Sequence, residues 1–150
     1  SSKRSLSFNT CSHACRCNDS FSVATIERLP LGPITILGHG SIGRMFSQLL
    51  GDRAVVCSRS TGNWDDRHSI TGTVINCTSF GTSVYSSPFN TLPNVSCVVD
   101  LAIRDNELKN QCHTTATKYV AGIEFYRCQF KYQFELYTGI ALTSEEINSI

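Results

Sequence analysis

Ile34-Thr35-Ile36-Leu37-Gly38-His39-Gly40-Ser41-Ile42-Gly43-Arg44-Met45-Phe46 is the stretch whose reading decides the fold of this chain. Its first four residues are apolar or β-branched and end at a glycine, the pattern of a short buried strand. From Ser41 the apolar residues Ile42, Met45, Phe46, Leu49 and Leu50 recur at helical spacing, and Gly51 stops them. Between strand and helix lies G-x-G-x-x-G, from Gly38 to Gly43. In that context the glycines permit a tight turn, backbone approach to a pyrophosphate and close packing of the helix. The helix N-terminus then offers free N–H groups and the positive end of its dipole to phosphates. Gly38, His39, Gly40, Ser41, Ile42 and Gly43 are the expected cofactor-binding residues here. The bland alternative is a glycine-rich turn with no ligand.

The next strand, Ala54-Val55-Val56-Cys57, indicates which dinucleotide is bound. An NAD site places Asp or Glu at its end to hold the ribose hydroxyls, whereas this chain continues Ser58-Arg59-Ser60. Arg59 can form charge-assisted bonds to a 2′-phosphate, with Ser58 and Ser60 as further donors, so NADP is expected rather than NAD. The bland alternative for Arg59 is a solvated surface arginine. Residues 60–72 are polar and read as loop or a short irregular helix, with Trp64 expected to pack rather than to touch the adenine.

Further strands are expected at 73–78, 97–101 and 118–121, and helices at 106–112, 123–137 and after a capping box at Thr143-Ser144-Glu145-Glu146. Strands apolar on both faces, separated by helices or long crossovers, describe an α/β fold. The expectation is a Rossmann-like parallel sheet with helices on both faces.

At 150 residues there is room for one full domain but not two, and 41% hydrophobic with 17% charged residues is ordinary for a globular chain. A net charge of +1 gives no global attraction to nucleic acid or to an anionic membrane. No apolar run approaches a membrane span, and Ser1-Ser2-Lys3-Arg4-Ser5 is not followed by a secretory apolar stretch, so a cytoplasmic location is expected. Of eight cysteines, Cys57, Cys77 and Cys97 sit in strand-like runs and are expected as reduced, buried thiols. Cys11, His13, Cys15 and Cys17 alternate along one short segment. Ligands at every second position of a straight strand span too far to close a tetrahedron, so no metal is expected. His13, His68 and His113 show no partner at a telling spacing; His39 is expected near the cofactor.

Several segments together resemble the shikimate dehydrogenase family. Asn76-Cys77-Thr78-Ser79 is similar to the family's Asn-Ala-Thr-Ser, and Ser58-Arg59-Ser60 to its Asn-Arg-Thr. Gly122, Phe125 and Gln129, followed by Phe134-Glu135-Leu136-Tyr137-Thr138-Gly139, resemble its last long helix, with the glutamine-to-phenylalanine distance kept. More loosely, Ser7-Phe8-Asn9-Thr10 and Cys17-Asn18-Asp19-Ser20 resemble its two Asn-containing substrate segments. The resemblance covers roughly residues 5–139 and lacks about the first third of a usual member.

What the resemblance implies is a division into 1–32, part of a substrate domain with a connecting helix; 33–122, an NADP-binding domain; and 123–150, helices packing toward the substrate cleft. It places Asn76 and Thr78 on the cofactor, Gly122 at the nicotinamide end and Phe125 where a methionine usually meets that ring. Asn9 and Gln129 would bind substrate, and Asp19 would be the acid/base carboxylate. Without the family, Gln129 is a solvent-facing helix residue and Asp19 a helix N-cap. The implied reaction is NADP-dependent reduction of 3-dehydroshikimate to shikimate. Three departures bear on it. Lys3 stands too near Asn9 to match the family's lysine, Ile103 replaces a common tyrosine, and His39 and Ser41 alter the usual turn. Proton delivery is therefore expected to be impaired. A homodimer or a completing N-terminal domain is the expected macromolecular partner. The alternatives are a non-catalytic NADP-binding sensor or interaction module of the same fold, or another Rossmann reductase such as a glutamyl-tRNA reductase-like domain. The latter leaves Gln129 and the Phe134–Gly139 ending unexplained.

Overall fold

Five apolar runs become five strands, β1 (Ile34–Leu37), β2 (Ala54–Cys57), β3 (Gly72–Asn76), β4 (Val95–Asp100) and β5 (Lys118–Ala121). They form one sheet in the order β2-β1-β3-β4-β5, and every pairing is parallel. The computed structural model describes residues 29–80, 86–102 and 105–150; within the last long helix the side chains at 124, 125, 128, 129 and 132 are outside the description. Asn9, Asp19, Ile103 and the Cys11–Cys17 segment also fall outside the described residues.

The helices are α1 (Ser41–Leu50), α2 (Glu107–Thr114), α3 (Ile123–Thr138) and α4 (Ser144–Asn148). Residues 60–72 contain a 3₁₀ helix, Trp64–Ser69, and the strand expected at 73–78 begins at Gly72 and ends at Asn76. The strand end is set by Asn76, whose side chain turns inward to bond the residues that follow.

Leu37, Cys57, Val74 and Val98 share one buried cluster with Leu108 and Cys112 of α2 and with Phe89. Helix α1 lies against β1 and β2; its buried residues are Gly43, Phe46 and Leu50, none of them in that cluster. The β1–α1–β2 step moves toward one edge of the sheet and the β4–α2–β5 step toward the other. Right-handed crossovers in opposite directions put their helices on opposite faces. The architecture is therefore the Rossmann-like one expected. One expectation is corrected in detail: Leu49, expected on the buried stripe of α1, is 39% exposed. The helix buries only the narrower i, i+3, i+7 line through Gly43, Phe46 and Leu50.

Arg28–Gly122 make one compact unit, and α3 and α4 belong to a second. In the second unit Thr143 caps α4 with a full capping box: its side chain accepts from the Glu146 amide, and the Glu146 carboxylate accepts from the Thr143 N–H. Among the described residues Cys57, Cys77, Cys97 and Cys112 are free thiols. No helix among them is long and apolar enough to cross a membrane, and no group of three or more His, Cys, Asp or Glu could hold a metal ion.

Candidate functional site

The C-terminal ends of β1, β2 and β3 converge on a cavity of about 330 Å³. In open parallel sheets this is the crevice where ligands bind, because neighbouring connections diverge there. Three short segments line it: Gly38 to Gly40 after β1, Ser58 to Ser60 after β2, and Cys77 to Phe80 after β3, with Trp64 at the side.

The glycine turn is built for three separate reasons. Gly38 has φ +93°, and a Cβ there would stand 3.1 Å from the Cys77 carbonyl. A Cβ at Gly43 would collide with the Gly38 carbonyl oxygen, so its absence lets α1 start against β1. Gly40 differs: its φ is −78° and a Cβ would meet nothing within 4 Å. Neither its backbone conformation nor the packing requires glycine. Gly40 lines the cavity as the N-cap of α1, with no side-chain cap and no acid in the first turn to compete with an anion there.

The segment after β2 is held by Asn63. Its Nδ2 donates to the Val56 carbonyl at 2.8 Å, and its Oδ1 accepts from the Ser58 amide at 3.1 Å and the Thr61 hydroxyl at 2.6 Å. The Gly62 amide closes the turn onto the Arg59 carbonyl. Ser58 is buried, and its hydroxyl is engaged with Ser60 at 3.0 Å and Thr61 at 2.8 Å. Ser58, Arg59 and Ser60 of this turn line the cavity, Ser58 with its hydroxyl already engaged. The Arg59 guanidinium lies 5.8 Å from the centre of the Trp64 ring, a cation–π distance. Among the described residues it has no carboxylate partner. Trp64 is itself stacked on Phe80, with centroids 5.9 Å apart and planes at 11°, and carries Arg67 at 4.5 Å.

The floor is the Cys77–Phe80 segment. Asn76 does not line the cavity. It is buried, and its Oδ1 accepts from the Thr78 amide at 3.2 Å and the Thr78 hydroxyl at 2.6 Å. Thr78 in turn accepts from the Phe80 amide. Burial pushes the Cys77 thiol up to about 12, with the Asp100 charge adding to it, so Cys77 is an inert wall rather than a nucleophile.

Of the residues expected from sequence, the structure gathers Gly38, His39, Gly40, Ser58, Arg59, Ser60 and Thr78 around one cavity. Ser41, Ile42 and Gly43 form the first turn of α1 beside it. Gly122, after β5, is buried where a Cβ would come within 2.6 Å of the Leu101 carbonyl carbon, so close approach to the end of β4 accounts for it. Phe125 and Gln129 lie in α3, and their side chains are outside the description. The residues that sequence reading did not assign are Cys77, Ser79, Phe80 and Asn63. The first three closely follow the Asn76 that it did pick. Asn63 follows Gly62, a turn signal whose partners are invisible without coordinates.

No family model and no curated protein matches the sequence. Solved structures do match. The chorismate mutase/shikimate 5-dehydrogenase fusion protein from Clostridium acetobutylicum is similar with a TM-score of 0.71 at 18% identity, over 91% of this chain and 58% of that one. The shikimate 5-dehydrogenase from Thermus thermophilus, solved in complex with NADP(H) and shikimate, gives 0.67 at 18%, over 91% and 60%. The shikimate dehydrogenase from Thermotoga maritima gives 0.59 at 16%, over 89% and 61%. This chain thus spans about three fifths of the length of these proteins. Over the part it spans, it has the fold of the shikimate dehydrogenases.

Proposed function

We propose that this chain binds NADP(H) in the cavity above β1, β2 and β3 and is an NADP-dependent, shikimate dehydrogenase-like oxidoreductase. The observation that carries this is Gly40. It is a glycine that neither φ nor packing requires, at an uncapped helix N-terminus on the cavity wall. A backbone kept bare toward open space is what a pyrophosphate needs for close approach. Arg59 and Ser60 then meet the 2′-phosphate, and the absence of any acid among the lining residues favours the doubly charged group. Thr78, Ser79 and Phe80 support the dinucleotide from below.

When bound, the cofactor supplies the hydride for carbonyl reduction, with 3-dehydroshikimate as the proposed substrate and shikimate as product. In this reading residues 1–32 contribute Asn9 as a substrate-hydroxyl ligand and Asp19 as the carboxylate of the proton transfer. Residues 33–122 hold the cofactor, with Gly122 toward the nicotinamide. Residues 123–150 bring Phe125 to the nicotinamide ring and Gln129 to the substrate. Similarity to an enzyme solved with NADP(H) and shikimate supports this assignment.

Trp64 is the one tryptophan of the sequence and lines the cavity, so its fluorescence reports on occupancy. Titration is expected to show NADPH binding at least about tenfold more tightly than NADH. Arg59→Ala should remove that preference by losing roughly ten- to a hundredfold in NADPH affinity alone. Equal affinity of the wild type for both nucleotides would sink the assignment of Arg59. Oxidation of NADPH by 3-dehydroshikimate, followed by absorbance, then tests turnover. Binding without turnover would favour the alternative reading of an NADP-binding sensor or interaction module of the same fold.

A further inference from the structure

Asp100 ends β4 fully buried, with no cation paired to it among the described residues. Its carboxylate is met by four donors. Oδ1 accepts from the Asn76 amide nitrogen at 3.0 Å and from the Ala102 main-chain N–H at 3.2 Å. Oδ2 accepts from the Asn106 amide nitrogen at 2.9 Å and the Tyr119 hydroxyl at 2.8 Å. A carboxylate has about four lone-pair sites, and here each has a donor. Burying such a group is expensive, and an apolar side chain would serve packing better; its merit is that it fixes the geometry of whatever bonds to it.

What it fixes leads to the cavity. With its Nδ2 anchored on Asp100, the Asn76 amide turns its Oδ1 toward the following residues, where it receives both the amide and the hydroxyl of Thr78. The same Nδ2 also reaches the Phe80 carbonyl at 3.4 Å. Across the β3–β4 pairing Asn76 is the register partner of Asp100, so a single side chain links the carboxylate to the turn. We propose that Asp100 is a positioning residue for the dinucleotide cavity, acting through Asn76 to hold the Cys77–Phe80 floor in its binding geometry. This rests on the proposed cofactor site. It adds that the site's floor is set by a carboxylate that touches no ligand.

Asn76→Asp tests it, because it replaces the donor to Asp100 by a second acceptor. Two carboxylates about 3 Å apart raise the pKa of one of the pair, so at pH 5.5 they share a proton, the bond to Asp100 re-forms and the other oxygen still receives Thr78, whereas by pH 8 that proton is lost. At pH 8 the pair is repelled. NADP+ affinity, read by Trp64 fluorescence and divided by the wild-type affinity at the same pH, should be near one at pH 5.5. It should fall roughly ten- to a hundredfold by pH 8. The swapped double variant Asn76→Asp/Asp100→Asn restores a donor–acceptor pair and should recover at least half of the loss on a logarithmic scale.

A pH-independent ratio, or a loss that the swap leaves untouched, would overturn the inference while leaving the cofactor site standing. Absence of NADP+ binding by the wild type would overturn both. If circular dichroism shows Asn76→Asp unfolded at pH 8, Asp100→Asn alone decides. It removes the charge but keeps the shape, and should weaken NADP+ binding several-fold with the fold intact; unchanged affinity would again refute the relay.

Discussion

Gly40 and Gly43 stand three residues apart in one turn, and their glycines answer to different demands. At Gly43 the demand is internal, since a methyl group would press on the Gly38 carbonyl and push α1 off β1. At Gly40 there is room for a methyl group in the protein alone. The two substitutions should therefore separate stability from binding. Gly43→Ala should cost about 1–3 kcal/mol, the usual scale of overpacking, and lower Tm by roughly 2–12 °C. Gly40→Ala should leave Tm within about 3 °C, since it costs at most about 1 kcal/mol at an N-cap, yet weaken NADPH binding at least about tenfold. Thermal melts and titrations on the two variants check this. A Gly40→Ala protein that binds like wild type would remove the main support for a pyrophosphate at this turn. The pattern G-x-G-x-x-G was plain in the sequence, but which glycine serves the fold and which a ligand was not, because that depends on atoms brought from Cys77 and from the start of α1.

The turn after β2 shows the same division for an element. Its strand, its lack of an acid and its Arg59 were all legible, because strand periodicity and residue type are local. Its shape was not, since Asn63 fixes it by bonding back across seven residues to Val56 and five to Ser58. Asn63→Ala removes three bonds at once and leaves the Ser58 amide and the Val56 carbonyl in search of partners. Arg59 and Ser60 would then be presented less well to a 2′-phosphate. NADPH affinity is expected to drop about tenfold while NADH affinity changes less than about threefold. Titration with both nucleotides measures it, and a parallel loss of both would mean that Asn63 supports the whole cavity rather than its phosphate end. The Asp100 cluster was illegible for a related reason. Asn76 and Asp100 are 24 residues apart and meet only once β3 and β4 pair in their observed register. By contrast the α4 capping box, whose members lie three residues apart, could be read directly.

At the scale of the molecule, thiols in and beside the sheet ionise less readily than in the unfolded chain, and this gives the fold an alkaline limit. Desolvation raises the thiols of Cys57 and Cys97, and it takes those of Cys77 and Cys112 up to about 12, the Asp100 charge contributing to the latter two. Burial and the same Asp100 charge also hold the Tyr119 phenol above its ordinary range. Unfolded, a thiol ionises near about pH 8.5. Below that, folded and unfolded chains carry the same protons on these groups and stability does not depend on them. From about pH 8.5 up to about 12 the unfolded chain releases protons that the folded chain retains, so the balance tips toward unfolding as pH rises. Urea midpoints measured at pH 7.5, 9 and 10.5 should fall over the first step and more steeply over the second. Cys112→Ala should flatten part of that fall. Iodoacetamide at pH 8 should spare the buried Cys57, Cys97 and Cys112 in the folded protein and modify them in urea, as peptide mapping would show. Rapid labelling of Cys112 without urea would mean that the core around Asp100 opens on its own, and a fixed Asp100 is what the relay requires.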